Sequence, residues 1–383
     1  MSVFRVFVLH FARKISYSRN VFLPITNMCR NYCAYCGFRR DPKDGAWFMP
    51  PQDVLELARR AKSADCSEAL LTLGELPEVH SRAREKLDEF GYKSTIDYLE
   101  DLCKQILEIG LLPHTNAGVL SEAELRRLRR YNASMGLMLE NVVDLPAHAR
   151  SMGKNPKLRL ETIEAAGKLR IPFTTGLLVG IGENSEDLVK SLLVIRELHK
   201  RYGHIQEIII QPFDPKPGTP MGNRPRPSEL QLLNTVTFAR SIMPDMNIQV
   251  PPNLLSHNGV LVRPGSIEFD NAIAAAISAG ANDFGGISSV TPDFINIDCP
   301  WPSVAELEAA IKRSGSTPRE RLPIYPNFVK DEKFMSKEVR KRVSELADEE
   351  GYRASRTEDQ RNLATRVSWR RAQRRRGRAA VTG

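Results

Sequence analysis

Three cysteines within eight residues, Cys29, Cys33 and Cys36, carry the densest chemistry in this sequence. They follow directly on an apolar run, Val21-Phe-Leu-Pro-Ile25, in the stretch Asn27-Met-Cys-Arg-Asn-Tyr-Cys-Ala-Tyr-Cys-Gly-Phe-Arg-Arg-Asp-Pro42. Three thiolates on one short loop can converge on one inorganic centre, and iron–sulfur clusters are held by such thiolates. A closed structural zinc site takes four ligands. This loop supplies three, and no neighbouring Cys or His pair completes the set; Cys66, Cys103 and Cys299 are scattered singly. Three ligands on a four-iron cluster leave one iron open to a small molecule. A zinc knuckle, a disulfide pair or three buried thiols are the structural alternatives for the same residues.

The elements that must position this loop alternate short apolar runs with longer amphipathic ones. Strands are expected at Val21–Ile25, Ala69–Leu73, Leu112–Asn116, Ser134–Glu140, Phe173–Val179, Ile205–Pro212, Asn247–Val250 and Asp283–Ile287. Helices are expected between them. Val54, Leu57, Ala58 and Ala61 recur at helical spacing over Pro51–Ser63, and Thr95–Ile109 repeats the pattern. Ser121, three residues before Glu124, reads as a capping box. Leu158–Leu169, Ser185–Arg201, Ser228–Met243, Ile267–Ala279 and Ser303–Lys312 continue the series. Eight strand–helix units predict an α/β fold of (β/α)8 barrel type, with a doubly wound sheet as the alternative. The thiol loop then follows the first strand, on the face where barrel active sites lie.

Other strand ends carry polar groups to the same face. The second strand runs into Gly74-Glu75, a glycine that lets backbone approach a ligand and a carboxylate that can accept from an ammonium. Glu140 ends the fourth apolar run, and Gln211 lies at the end of the sixth. The fifth leads into Gly180-Ile-Gly182-Glu-Asn-Ser185. That segment lacks the third glycine and the distal acid of a dinucleotide-binding fingerprint. His114, Asp283 and Asp293 are candidates for proton transfer, with a satisfied structural role as the alternative for each.

The Cys-x3-Cys-x2-Cys spacing, with Tyr35 before the last cysteine, resembles the signature of the radical S-adenosylmethionine enzymes. The resemblance implies a radical S-adenosylmethionine barrel with a [4Fe-4S] cluster on Cys29, Cys33 and Cys36, whose open iron holds the amino and carboxylate groups of S-adenosylmethionine. It implies cofactor contacts from Tyr35, Gly74, Glu75, Glu140, Gly180, Gly182 and Gln211. Four segments are similar to the deazaflavin-forming branch of that family: Cys29–Pro42, Leu112-Pro-His-Thr-Asn-Ala-Gly-Val-Leu120, Met135-Gly-Leu-Met-Leu-Glu-Asn141 and Asp283-Phe-Gly-Gly-Ile-Ser-Ser-Val-Thr-Pro-Asp293. Asn-Ala-Gly and Ser-Ser stand where that branch often has Asn-Pro-Gly and Ser-Pro. The branch implies a lyase acting on a tyrosine-derived adduct of a ribityl-aminouracil, made by a companion subunit, CofH. It also implies a reductant such as ferredoxin or flavodoxin. A biotin-synthase-like or menaquinone-pathway barrel is the enzymatic alternative, but Cys66, Cys103 and Cys299 do not form the ligand set of a second cluster. A structural metal site with an RNA-binding tail is the non-enzymatic one.

Composition sets the remaining bounds. The chain of 383 residues is 42% hydrophobic and 26% charged, within the range of globular proteins. No apolar stretch is long enough to span a bilayer. Thiols that must stay reduced predict a cytoplasmic, reducing setting. The net charge of +9 resides mostly beyond Gly351, where ten Arg face two acidic residues. Four segments are expected: a basic extension over 1–20 (its lack of acid also suits an organelle transit peptide), a barrel over 21–335, a charged helix over 336–350 and a disordered Arg-rich tail over 351–383.

Overall fold

The computed structural model describes residues 13–355. Eight parallel strands form its centre: β1 (Lys14–Pro24), β2 (Glu68–Thr72), β3 (Leu112–Asn116), β4 (Ser134–Gly136), β5 (Phe173–Val179), β6 (Ile205–Pro212), β7 (Asn247–Gln249) and β8 (Asp283–Ser288). Each pairs with the next, and β8 pairs back onto β1, so the sheet closes into a barrel. The helices α1 (Pro51–Ser63), α2 (Ser81–Phe90), α3 (Thr95–Ile109), α4 (Glu122–Arg129), α5 (Pro156–Lys168), α6 (Ser185–Tyr202), α7 (Glu229–Ile242), α8 (Ile267–Ala279) and α9 (Val304–Arg313) interleave with the strands. This is the expected (β/α)8 fold. None of the helices is long and apolar enough to cross a membrane.

Local sequence explains the element ends. β5 is buried on both faces along its whole length, which is why no charged residue interrupts it. Ser121 and Glu124 form the expected capping box, and Asn184–Asp187 and Ser303–Glu306 repeat it on α6 and α9. α3 stops at Gly110, whose φ of 101° suits glycine.

Three features depart from the expected pattern. β1 starts at Lys14, so the last residues expected in the basic extension are strand. That polar half is hidden from periodicity because it pairs with an additional strand, β9 (Thr317–Glu320). β4 is shorter than its apolar run, because Glu140 takes a left-handed φ of 64° and leaves only a single bridge to Leu177. α2 has no counterpart among the expected helices. α11 (Lys337–Leu346), which follows the short α10 (Pro326–Val329), is the expected charged helix, shorter than foreseen. Residues 1–12 and 356–383, which hold most of the extension and tail, lie outside the described residues.

After β9 the chain crosses the base of the barrel as Arg321–Tyr325, a fully enclosed segment. The Arg321 guanidinium pairs with Asp283 through Nε–Oδ2 at 2.6 Å and Nη2–Oδ1 at 3.0 Å, and reaches Glu207 at 3.3 Å. Ser16 donates to Asp283, and Tyr325 and Thr174 donate to Glu207. Charge buried this deeply persists only when paired. Asp283→Ala is therefore expected to cost about 3 kcal/mol in urea unfolding of the apo chain, by stranding a cation; a loss under 1 kcal/mol would contradict this role.

His204, fully buried between β6 and α5, donates from Nε2 to the Ile163 carbonyl at 2.9 Å. Burial pushes its imidazole down to about 4. The unfolded chain therefore binds an extra proton below about pH 6.5. Stability from this group is present at neutral pH and is lost as pH falls toward 4. Replacing His204 with Gln should flatten the fall in urea midpoint between pH 6.5 and 4.5.

Candidate active site

The thiol loop is strapped to the end of β2. The Ile25 N–H donates to the Thr72 carbonyl, the Gly74 N–H to Thr26 and the Arg30 N–H to Glu75. At Gly74 there is no room for a side chain: a Cβ would lie 1.9 Å from the Met28 carbonyl oxygen and 2.8 Å from Cys29 Cβ. The glycine is thus needed for contact between the two loops, whereas its sequence position suggested close approach to a ligand.

Cys29, Cys33 and Cys36 are free, half-buried thiols. Each sulfur accepts a hydrogen bond. Cys29 Sγ takes the N–H of Asn31 at 3.3 Å and of Glu75 at 3.2 Å, Cys36 Sγ takes that of Arg39 at 3.5 Å, and the Ser151 hydroxyl donates to Cys33 Sγ at 3.4 Å. Burial pushes the Cys29 thiol up to about 11 despite those donors. A metal displaces such protons. Among the described residues no three His, Cys, Asp or Glu side chains gather tightly enough to hold one ion. Three thiolates are one ligand fewer than a closed zinc site takes, and they suit a cluster that offers each its own iron.

Around the thiols stand two buried carboxylates, each bound to a cation. Glu75 pairs with Arg30 at 2.6 Å and accepts the Val119 N–H at 3.2 Å. It threads between two glycines: a Cβ on Gly153 would fall 1.6 Å from its Oε1, and one on Gly118 2.3 Å from its Cγ. Glu140 pairs with Lys154 at 2.5 Å. Burial alone would raise its carboxyl, yet Lys154 and then Arg159 hold it below the usual range. Arg159 is 3% exposed, and its Nε and Nη1 have no partner among the described residues.

Tyr35 ties the loop to the β5 end. Its hydroxyl shares a 3.0 Å hydrogen bond with His148 Nε2, and it packs on a small cluster that includes Leu145, Leu178, Ile181 and Phe213. Gly180 and Gly182 both have positive φ, at 99° and 114°. The N–H groups of Gly180 and Ile181 are already taken by Glu183, at 2.6 and 2.8 Å. The expected cofactor-side residues Tyr35, Gly74, Glu75, Glu140, Gly180 and Gly182 thus lie on the loops at the thiol end of the barrel.

Below them a cavity of about 200 Å³ runs down the barrel axis. Thr72, Asn116, Gln211, Gln249, His114 and Asp293 line it, and Glu207 and Arg321 form its floor. Two of the three proton-transfer candidates are therefore at the cavity. Asp293 accepts from Asn253 at 3.0 Å, Asn296 at 2.9 Å and two backbone N–H groups, which organises the loop after β8. Burial, followed by Arg321, pushes His114 down to about 3, so its imidazole is neutral. Asp283 does not join them. It opens β8 at the base, wholly enclosed and bound to Arg321, because a strand's first residue lies at the opposite end from its last. Sequence reasoning missed Arg30, His148, Lys154 and Arg159. The signal available was the long polar connection between Gly136 and Pro156, which carries His148 and Lys154.

Comparison with known proteins agrees with this geometry. The model of the Radical SAM superfamily matches residues 23–195. The 7,8-didemethyl-8-hydroxy-5-deazariboflavin synthase of Methanosarcina barkeri is 48% identical over 341 residues, covering 88% of this chain and 99% of that protein. The synthase of the same name from Archaeoglobus fulgidus is 48% identical, covering 88% and 98%. Among solved structures, the FeFe-hydrogenase maturase HydG from Carboxydothermus hydrogenoformans shares the fold at a TM-score of 0.62 and 18% identity, over 80% of this chain and 68% of that one. Methylornithine synthase (PylB) does so at 0.60 and 17%, over 80% and 83%.

Two substitutions test the thiol site. Cys33→Ala and Gly74→Ala should each lower iron retained after anaerobic reconstitution about tenfold or more, while Cys66→Ala retains it. Iron and sulfide assays with visible absorption give the answer. Equal loading of all three variants would refute the assignment.

Proposed function

This chain belongs to the family of the 7,8-didemethyl-8-hydroxy-5-deazariboflavin synthases, within the radical S-adenosylmethionine superfamily, and on that premise we propose that it forms the deazaflavin ring system. The substrate in this reading is the 4-hydroxybenzyl adduct of ribityl-aminouracil, which closes to 7,8-didemethyl-8-hydroxy-5-deazariboflavin with loss of ammonia and a two-electron oxidation, for which S-adenosylmethionine would be the oxidant, leaving as 5′-deoxyadenosine and methionine. The observation that carries the reading is the pairing of a three-thiol loop with an amide-lined cavity directly beneath it.

When bound, a [4Fe-4S] cluster and S-adenosylmethionine supply a reducing electron and a 5′-deoxyadenosyl radical at the cavity mouth. Cys29, Cys33 and Cys36 are the cluster ligands in this reading. The remaining work belongs to the chain. Glu75, anchored by Arg30, offers a carboxylate for the cofactor's ammonium. Arg159 has unmatched guanidinium N–H groups for an anionic oxygen. Glu140, kept ionised by Lys154, offers an acceptor for ribose hydroxyls. Tyr35 and the Gly180–Gly182 turn flank the adenosine. Gln211 reaches the cavity from β6. The enclosed barrel keeps water and stray hydrogen donors from a reactive radical, and the cofactor supplies the hard chemistry while the fold supplies position. The adduct comes from the companion subunit CofH, and the electron from a small reductant such as ferredoxin or flavodoxin. Three thiols that must stay reduced suit a cytoplasmic setting.

Anaerobic turnover of reconstituted protein with the adduct, S-adenosylmethionine and a reductant such as reduced flavodoxin should yield 5′-deoxyadenosine together with the fluorescent deazaflavin. 5′-Deoxyadenosine without deazaflavin would retain the radical chemistry and defeat the substrate assignment.

A further inference from the structure

His114 sits in a one-way chain of hydrogen bonds. Ser134 Oγ lies 2.5 Å from the Pro323 carbonyl oxygen and 2.7 Å from His114 Nδ1. A carbonyl can only accept, so the single Ser134 proton goes to Pro323. Ser134 Oγ must then accept from His114, and the imidazole proton is on Nδ1. Nε2 carries the lone pair and has no hydrogen-bond partner among the described residues, on a residue that lines the cavity. Gly136 makes space there, since a Cβ on it would lie 3.0 Å from Nε2.

The rest of the wall has a matching bias. Its charged side chains are already engaged: Glu68 by Ser18, Glu207 by Tyr325 and Thr174, Asp293 by two asparagine amides, and Arg321 by Asp283. What is unspent is neutral. Asn20 and Asn253, both lining the cavity and both at least nine-tenths buried, leave Oδ1 without a partner among the described residues. Half-buried Asn116, Gln211 and Gln249 add amides that both donate and accept. Among the described residues the wall has surplus acceptors, and its charged groups each already take part in hydrogen bonds, so it favours a ligand rich in hydroxyl donors.

We infer that the barrel cavity receives the polyhydroxyl (ribityl) end of the ligand, and that His114 Nε2 is a fixed acceptor for one of its hydroxyls. The inference rests on the deazaflavin reading for the identity of that chain. It makes His114 a substrate-binding group. A phenol end offers one hydroxyl to several acceptors and leaves most of them unmatched.

The test is anaerobic equilibrium binding to the reconstituted full chain, without turnover. The probes are the deazaflavin product, riboflavin, and lumichrome, which lacks the ribityl chain. The product and riboflavin should bind, ribitol should compete, and lumichrome should bind at least about tenfold more weakly. His114→Asn places an amide near Nδ1 and keeps a donor for Ser134, but removes the Nε2 acceptor. It should weaken product binding about tenfold, with iron content and the spectroscopic response to S-adenosylmethionine unchanged. His114→Gln, whose amide reaches the Nε2 position, should recover much of the affinity. Equal binding of lumichrome and riboflavin, unchanged affinity in His114→Asn, or no binding of the product to wild type overturns the inference. Failure of the adduct to become deazaflavin in wild-type turnover is a separate result, and it overturns the function on which the inference rests.

Discussion

A guanidinium removed from water at the base of the barrel is the constraint on which this architecture depends. Arg321 is held by Asp283 and Glu207, which come from β8 and β6. Taking three charges out of water is tolerable only because hydroxyls from Ser16, Tyr325 and Thr174 complete the set. The same segment sends the Pro323 carbonyl to Ser134 and to Gln206, so β4 and β6 are tied to it as well. The plug therefore does two things at once. It closes the lower end of the barrel, and it fixes the polar groups that face upward into the cavity.

At the other end the constraint is distance rather than charge. Two loops meet at Gly74 with backbone against backbone, and the Cys29 sulfur collects N–H donors from both. Glu75 is then trapped between Gly118 and Gly153, which brings the loops after β3 and β4 to the thiols. Four strand ends thus converge through contacts that no larger side chain would permit. The mouth is closely packed because the glycines admit their neighbours, and less because of any one strong bond.

Much of this was legible in the residues, for identifiable reasons. β3, β5 and β6 occupy the expected spans because strands enclosed between helices and barrel interior are largely buried and carry short apolar stretches. The thiol spacing and the Gly-Glu pair read correctly as neighbours because each follows a strand, and strand ends share a face in a parallel barrel. What could not be read depends on contacts between distant residues. Lys14–Tyr17 looked like a polar extension because its partner, β9, lies about 300 residues away. Asp283 looked available because sequence does not show that Arg321 returns to neutralise it. Lys154 and Arg159 look like ordinary helix-surface charges until Glu140 turns left-handed and meets the first of them.

The segment 351–354 has a consequence for how the molecule can be joined to others. The Arg353 N–H donates to Glu320 of β9, its guanidinium reaches Asp65 before β2, and the Ala354 N–H donates to Leu346 of α11. The polypeptide is thus moored at the foot of the barrel just before its arginine-rich stretch begins. A tether, a tag or an immobilising surface attached beyond Ala354 pulls from the foot. The opening through which reactants pass then faces away from the point of attachment.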